Sequence, residues 1–133
     1  MSVAAERAEP VADFLARHAG APVCYLETIG RVTGARRTIE IWFASDDQRI
    51  YMLAGGRQRA HWVRNLRREP RVRVRLAGRT LTGTARVVEG GPEEPTARHA
   101  LAAKYQGWRE GRSLSGWARG SLPVVIEVDS ATG

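Results

Sequence analysis

The sequence of 133 residues has a single cysteine, Cys24, a single lysine, Lys104, and no long run of apolar residues. One cysteine excludes an internal disulfide and any metal site built from several cysteines. The absence of an unbroken apolar run of about 18 residues excludes a membrane-spanning helix. Residues 1–10 are charged and lack the apolar core of a signal peptide, so we expect a cytoplasmic protein. The length predicts one domain, residues 1–133.

Positive charge is present in excess and is almost entirely arginine. Lysine and arginine total 21 against 14 for aspartate and glutamate, which gives a net charge of +7. Codon bias in a GC-rich genome accounts for such a skew, and so does a partner rich in phosphate or carboxylate groups, which guanidinium groups bind in a fork. The two explanations are compatible. Nucleic acid is the first anionic partner to consider.

Short strands separated by turns dominate the pattern of apolar residues. The clearest strand spans residues 71–76, where valine and leucine alternate with arginine. The other predicted strands span residues 23–29, 37–44, 49–53, 80–88 and 122–128, and the predicted helices span residues 11–19, 61–68 and 93–105. This order predicts a mainly β protein of the α+β kind, a small barrel of about six antiparallel strands with short flanking helices.

Side chains that could perform catalysis by themselves are few. The histidines at 18, 61 and 99 have no metal-ligand spacing, so we expect no metal site. The glycine-bracketed loop at 30–34 lacks the Gly-Lys-Ser/Thr ending of a P-loop, and it opens no helix as a dinucleotide fingerprint would. No pair of carboxylates is recognisable as an acid/base dyad. If the protein is an enzyme, a bound cofactor supplies the chemistry.

Two segments have the composition of an anion-binding site. Arg36 and Arg37 follow the loop at 30–34 and place two guanidinium groups at the mouth of a hairpin. The second segment is Gly55-Gly56-Arg57-Gln58-Arg59-Ala60, which leads into a predicted helix. Glycine allows close backbone approach, and free N–H groups at a helix start attract anions, so this segment predicts a phosphate site.

The order of these motifs resembles the deazaflavin-dependent nitroreductase family. The resemblance rests on LETIGRVTGARR at 26–37, Gly55-Gly56, and WVRNLRREPRV at 62–72. It implies a split β-barrel and a cytoplasmic or membrane-associated oxidoreductase that uses reduced 8-hydroxy-5-deazaflavin (coenzyme F-420). The phosphodiester and oligoglutamate tail of that coenzyme would account for the arginines without nucleic acid.

The resemblance also assigns cofactor-binding residues. It implies that Arg37 lies near the cofactor phosphate. The other implied positions are Thr33 and Gly34 in the adjacent loop, Gly55 and Gly56 where the backbone approaches the cofactor, and Trp62 and Asn65 on the following helix. Val32 stands where the family often has lysine, and Glu40 where many members have proline. Arg36, Arg57 and Arg59 are expected to supply the positive charge of the missing lysine.

The expected activity is hydride transfer from the reduced deazaflavin to a quinone, an enone or a nitro compound, with no catalytic side chain assigned. Tyr105, Trp108 and Trp117 are candidates for the substrate wall, and core packing explains them equally well. The expected partner is a small molecule and not nucleic acid, while peripheral membrane association and a homodimer are compatible with the sequence.

Three alternatives stay open at this stage. The first is an FMN-binding protein on the same barrel, because FMN also combines a tricyclic ring with a phosphate. The second is a basic nucleic-acid-binding module that uses the arginines of residues 71–76. The third is a non-catalytic carrier of a small ligand.

Overall fold

The computed structural model describes residues 9–132, so most of the segment on which the signal-peptide prediction rests lies outside the described residues. The helices are α1 (Val11–Arg17), α2 (His61–Arg68), α3 (Glu94–Gln106) and α4 (Gly116–Gly120), with a 3-10 turn at Arg57–Arg59. The strands are β1 (Cys24–Ile29), β2 (Arg36–Ile41), β3 (Ala44–Asp46), β4 (Arg49–Ala54), β5 (Arg71–Leu76), β6 (Arg79–Val87) and β7 (Leu122–Thr132).

The strands form one sheet in the order β2-β1-β5-β6-β7-β4-β3, and every neighbouring pair is antiparallel. The two outer strands, β2 and β3, follow each other in the chain but do not pair. The sheet is therefore a half-barrel, open between β2 and β3. This confirms the mainly β, split-barrel prediction, with seven strands in place of about six.

Strand β5 shows how the sequence directs the sheet's two faces. Val72, Val74 and Leu76 are buried, while the arginines between them are exposed. The inward side chains join an apolar core that also includes Phe14 of α1 and Leu26 of β1. The alternation predicted for this strand is confirmed, and it follows from the two-residue repeat of side chains along an extended chain.

The single strand predicted at 37–44 is wrong, because the chain breaks it into two. Strand β2 ends at Ile41 and β3 begins at Ala44. Between them, the backbone N–H of Phe43 donates to the Tyr105 hydroxyl at 3.1 Å, and the Phe43 carbonyl accepts from Lys104 Nζ at 2.9 Å. Side chains of α3 thus take the place of a neighbouring strand at Phe43. No local pattern around residue 43 could predict hydrogen-bond partners that lie about 60 residues away in the chain.

Other element bounds differ at the ends. Helix α1 stops two residues before the predicted end at 19, and β7 continues to Thr132 because its C-terminal part pairs with β6. The sequence analysis missed α4, a helix of five residues whose first turn is capped by Ser115, with Oγ accepting from the Ala118 N–H at 3.1 Å. Within residues 9–132, no helix is both long and apolar enough to span a bilayer.

A second apolar cluster lies between α3 and the sheet. Ala97, Leu101 and Ala102 of α3 pack on Leu53 of β4 and Val125 of β7. This packing fixes α3 against the sheet. It also brings the last turn of α3 beside the gap between β2 and β3.

Candidate functional site

A cleft of about 640 Å³ runs along β2 and the start of α2. We name it the arginine cleft, because Arg31, Arg36 and Arg37 all line it. Its remaining lining residues are Thr28, Gly30, Val32, Thr33, Thr38, Ile39, His61, Trp62 and Asn65. The structure therefore brings together five of the predicted cofactor residues: Thr33, Arg36, Arg37, Trp62 and Asn65.

Asn65 connects three parts of the arginine cleft. Its side chain is buried, with Oδ1 accepting from the backbone N–H of Arg31 at 3.2 Å and from Arg31 Nη1 at 2.9 Å. Its Nδ2 donates to Thr28 Oγ1 at 3.2 Å. Arg31 Nη2 also donates to His61 Nδ1 at 3.1 Å. Helix α2, strand β1 and the loop after β1 are thus tied by hydrogen bonds through one amide.

Arg31 and His61 are site residues that the sequence analysis did not assign. Arg31 belongs to the quoted motif GRVTG, and that motif is the signal that could have identified it. His61 stands one residue before the tryptophan of the second motif.

The loop at 30–34 needs its two glycines for its backbone. Gly30 N–H donates to the Ala35 carbonyl at 2.6 Å, and the Gly34 N–H donates back to the Gly30 carbonyl at 2.8 Å. A Cβ on Gly30 would lie 2.9 Å from the Ala35 carbonyl oxygen, which is too close. Gly34 has a φ of 77°, where side chains are disfavoured. Gly34 itself lies beside the arginine cleft and lines a smaller cleft that includes Gly30 and Arg31.

Positive charge in the arginine cleft is only partly neutralised. Arg36 pairs with Glu27 at 2.9 Å, whereas none of the ion pairs within residues 9–132 includes Arg37. Arg37 is exposed. Helix α2 begins at the cleft after Ala60, which offers no side-chain cap to the free N–H groups. A free guanidinium beside an uncapped helix start favours an anion.

The predicted residues of segment 55–59 lie elsewhere. A Cβ on Gly55 would lie 3.8 Å from the indole nitrogen of Trp117, and Gly56 precedes the 3-10 turn. Arg57 pairs with Glu89 at 2.5 Å and donates to the Gly120 carbonyl at 2.7 Å. Arg59 is exposed. None of these four residues lines the arginine cleft.

A second cleft, of about 470 Å³, opens at the end of β2. We name it the aromatic cleft; its lining is Val23, Glu40, Ile41, Trp42, Leu53, Gln106 and Trp117. Trp42 stacks on Tyr105 with ring centres 4.3 Å apart and planes 4° from parallel. Trp117 meets Trp42 edge-on, with centres 5.4 Å apart and planes at 81°. The sequence analysis did not single out Trp42, which is the centre of this cluster.

Of the three predicted substrate residues, two belong to this cluster and the third does not. Trp108 stacks on His99 at 4.2 Å, and its indole N–H donates to the Arg112 carbonyl at 2.8 Å. It does not line the aromatic cleft.

The two departures from the family pattern fall in different clefts. Val32 lines the arginine cleft and is 87% exposed. Glu40 lines the aromatic cleft, where its Oε1 accepts from the Tyr25 hydroxyl at 3.3 Å. The carboxylate of Glu40 is thus absent from the lining of the arginine cleft.

Burial shifts the pKa values of two titratable groups near the gap between β2 and β3. Burial in the core raises the pKa of the Cys24 thiol to about 12. Burial also lowers the pKa of Lys104. Among residues 9–132, no group of three or more His, Cys, Asp or Glu side chains is arranged to hold a metal ion.

Solved structures share this fold at low sequence identity. A conserved hypothetical protein from Mycobacterium tuberculosis, Rv2991, is 23% identical with a TM-score of 0.70, over 98% of this chain and 82% of that one. A FAD-binding protein from Mesorhizobium loti is 18% identical with a TM-score of 0.61, over 91% of both chains. An F420 reductase is 16% identical with a TM-score of 0.60, over 87% of this chain and 94% of that one. These likenesses establish the fold.

A family model gives the broader match. The model of the F420H(2)-dependent quinone reductases matches residues 2–129, which is nearly the whole chain.

Proposed function

Because the chain belongs to the F420H(2)-dependent quinone reductase family, we propose that it is an oxidoreductase that reduces an electrophilic small molecule with coenzyme F-420. The substrate would be a quinone, an enone or a nitro compound, and residues 1–133 would act as one domain. The observation that carries this proposal is the arginine cleft, where Arg37 has no ion-pair partner within residues 9–132 and lies beside the uncapped start of α2.

The donor set of the arginine cleft suits the coenzyme. Its tail is polyanionic, and the cleft presents three guanidinium groups together with helix N–H groups. Arg31 is engaged with Asn65 and His61, and Arg36 with Glu27, so Arg37 is the member with the most free donors. The cleft is therefore basic even though Val32 stands where the family often has lysine.

We assign the chain's own residues roles of binding, orientation and exclusion of water. Arg37 and Arg36 would bind phosphate, and Thr33 and Gly34 would hold the loop beside it. Trp62 and Asn65 would form the wall on α2. Tyr105 and Trp117 would contact the substrate. Gly55, which lies beside Trp117, and Gly56 would let the backbone approach the cofactor. All of these roles are proposals, and so are those of Arg57 and Arg59 in binding the cofactor and of Trp108 in the substrate wall. Arg57, Arg59 and Trp108 lie outside both cleft linings.

The chemistry itself belongs to the cofactor. Bound reduced coenzyme F-420 supplies the hydride. A substrate bound against the aromatic side chains around Trp42 would displace water from the aromatic cleft, and a drier site strengthens the electrostatic interactions inside it. The protein's contribution is thus position and environment.

An FMN-dependent protein is the alternative that a structural neighbour favours, because a FAD-binding protein shares the fold. Fluorescence titration with coenzyme F-420 and with FMN separates the two. We expect coenzyme F-420 to bind more tightly, and its affinity to fall as ionic strength rises, because salt screens a polyanion more than a single phosphate. Equal or tighter binding of FMN would contradict the proposal.

Nucleic acid is a weaker alternative partner. Arg71 pairs with Asp129 at 2.5 Å and Arg73 with Glu27 at 3.4 Å, so two arginines of the exposed β5 row already have carboxylate partners. The absence of nucleic acid, the homodimer and peripheral membrane association all stay predictions.

A further inference from the structure

The two clefts differ in the sign of their charge. The arginine cleft has three arginines in its lining, whereas the only charged side chain among the described residues that line the aromatic cleft is the carboxylate of Glu40. None of the ion pairs within residues 9–132 includes Glu40. Its described polar partner is the Tyr25 hydroxyl, which is neutral. A protein with a net charge of +7 thus leaves one carboxylate without a counter-ion at this cleft.

The walls of the aromatic cleft suit a flat cation. Trp42 is 44% exposed, and its ring is held by the parallel stack on Tyr105 and by a T-shaped contact with Trp117. Tryptophan is the strongest partner for a cation placed over an aromatic face. The cluster already accommodates one internal cation, because Lys104 Nζ lies 5.0 Å from the ring centre of Tyr105. That ammonium is held by the Phe43 carbonyl at 2.9 Å.

We propose that the aromatic cleft binds a planar, positively charged aromatic molecule, and that Glu40 is the residue that selects for the charge. The ring of the ligand stacks in the cleft formed by Trp42 and Trp117, and its positive charge faces the carboxylate at the rim. This deepens the proposed function, on which it rests for the role of that ligand as the hydride acceptor. Glu40 acts here as a specificity-determining residue.

A positively charged ring is also a chemically consistent acceptor. A hydride carries two electrons and a proton. When it adds to a carbon of an N-alkylated pyridinium-type ring, a C–H bond forms and a ring π bond shifts its electron pair onto nitrogen. The ring is thereby reduced and its positive charge neutralised, while the coenzyme that gave the hydride is oxidised by two electrons. No separate proton donor is required.

The experiment is a calorimetric titration of the protein without coenzyme, at low ionic strength, with a matched pair of ligands. The cation is 1-methylquinolinium, and the neutral control is 1-methyl-2-quinolone, which has the same bicyclic frame. We expect the cation to bind at least fivefold more tightly. In Glu40→Gln the affinity for the cation should fall by about threefold to tenfold while that for the neutral ligand stays the same, as for loss of a partly exposed charge pair.

Two further variants locate the effect. Trp42→Ala should weaken the binding of both ligands, because it removes the stacking surface. Glu110→Gln changes an exposed carboxylate outside the cleft lining and should leave both affinities unchanged. Equal affinity for the two ligands, no binding of the cation, or an equal loss in Glu40→Gln and Glu110→Gln would overturn the proposal. Because no coenzyme is present, failure of coenzyme F-420 binding would refute the proposed function and leave this result standing.

Discussion

The two clefts share one strand and differ in how they are held. Residues 36–39 of β2 line the arginine cleft, and residues 40 and 41 of the same strand line the aromatic cleft. The first cleft is braced by the amide of Asn65, which joins α2 to the loop after β1. The second depends on α4, which carries Trp117 and is held by the buried guanidinium of Arg98. The comparison teaches that each cleft is held by its own polar side chain. A mutation that removes one of these side chains should therefore disturb one cleft and leave the other intact.

The largest expected loss of stability follows removal of Arg98, the side chain that braces the aromatic cleft. Arg98 is 7% exposed and donates to the carbonyls of Ala118 at 2.9 Å and Ser121 at 2.7 Å, and to Glu94 at 2.8 Å. Arg98→Ala leaves these acceptors without their donor, so it should lower the free energy of unfolding by about 3–5 kcal/mol. Thermal and urea denaturation measure this loss.

A matched control for Arg98 lies on α4 itself. Arg119 is exposed, and the only described hydrogen bond of its side chain is a long one to the Leu114 carbonyl at 3.4 Å. Arg119→Ala should change stability by less than about 0.5 kcal/mol. Equal losses in the two variants would show that Arg98 does not brace α4.

Trp62 tests whether the wall of the arginine cleft is part of the core. Its indole is half-buried and packs against two apolar clusters besides lining the cleft. Trp62→Ala should cost about 3 kcal/mol, at the lower end for loss of a large aromatic side chain. Trp62→Phe keeps most of the apolar volume and should melt within a few degrees of the parent. A Trp62→Ala protein of parental stability would show that α2 is held without this side chain.

A smaller loss is expected for the brace of the arginine cleft. Asn65→Ala removes the acceptor for two Arg31 donors and the donor to Thr28, and should cost about 2 kcal/mol. Backbone amides of the loop at 30–34 should exchange faster with deuterium, while those of α3 stay protected. Gln58 is exposed, so Gln58→Ala serves as the control and should change neither the stability nor the exchange rates of the loop. Faster exchange across the whole sheet would mean that the two clefts are not independently braced.

At neutral pH the smallest effect on stability concerns Cys24, which is buried in β1. Its pKa is raised from 9.0 to about 12 by burial, so the thiol stays protonated in the fold while the unfolded chain ionises above about pH 9. The contribution of this group to stability is therefore complete below pH 9 and is lost between pH 9 and about 12.

Thiol labelling checks this directly. At pH 8 a disulfide reagent should react with the native protein at least 100-fold more slowly than with the urea-unfolded chain, because the thiolate is the reactive form. Similar rates would show that β1 opens readily beside the clefts.

The arginine cleft was largely predictable because it is built from two nearly continuous stretches, residues 28–39 and 61–65. Glycines, arginines and the Trp and Asn of one short helix mark it in the sequence. The aromatic cleft was not predictable as a unit, since its lining comes from five separated places in the chain. Trp42 acquires its role only because α3 brings Tyr105 against it.

The same reason explains the errors in the fold. Antiparallel strands with regular alternation, such as β5, follow from local pattern. The break after Ile41 does not, because it depends on Lys104 and Tyr105 binding the backbone of Phe43. Arg57 shows why the sequence predicts site residues incompletely. Its sequence context suggests phosphate binding, yet in the fold its guanidinium binds Glu89 and the Gly120 carbonyl.

The central claim is that Arg37 makes the arginine cleft an anion site for the coenzyme, and one comparison tests it most directly. The affinity for coenzyme F-420 should be measured for the parent, Arg37→Ala and Arg73→Ala, where Arg73 lies on the exposed face of β5. We predict that Arg37→Ala weakens binding by about 1.5–3 kcal/mol, the range for hydrogen bonds to charged groups, while Arg73→Ala changes it far less. Similar losses in both variants would mean diffuse attraction by a basic surface and would contradict the account.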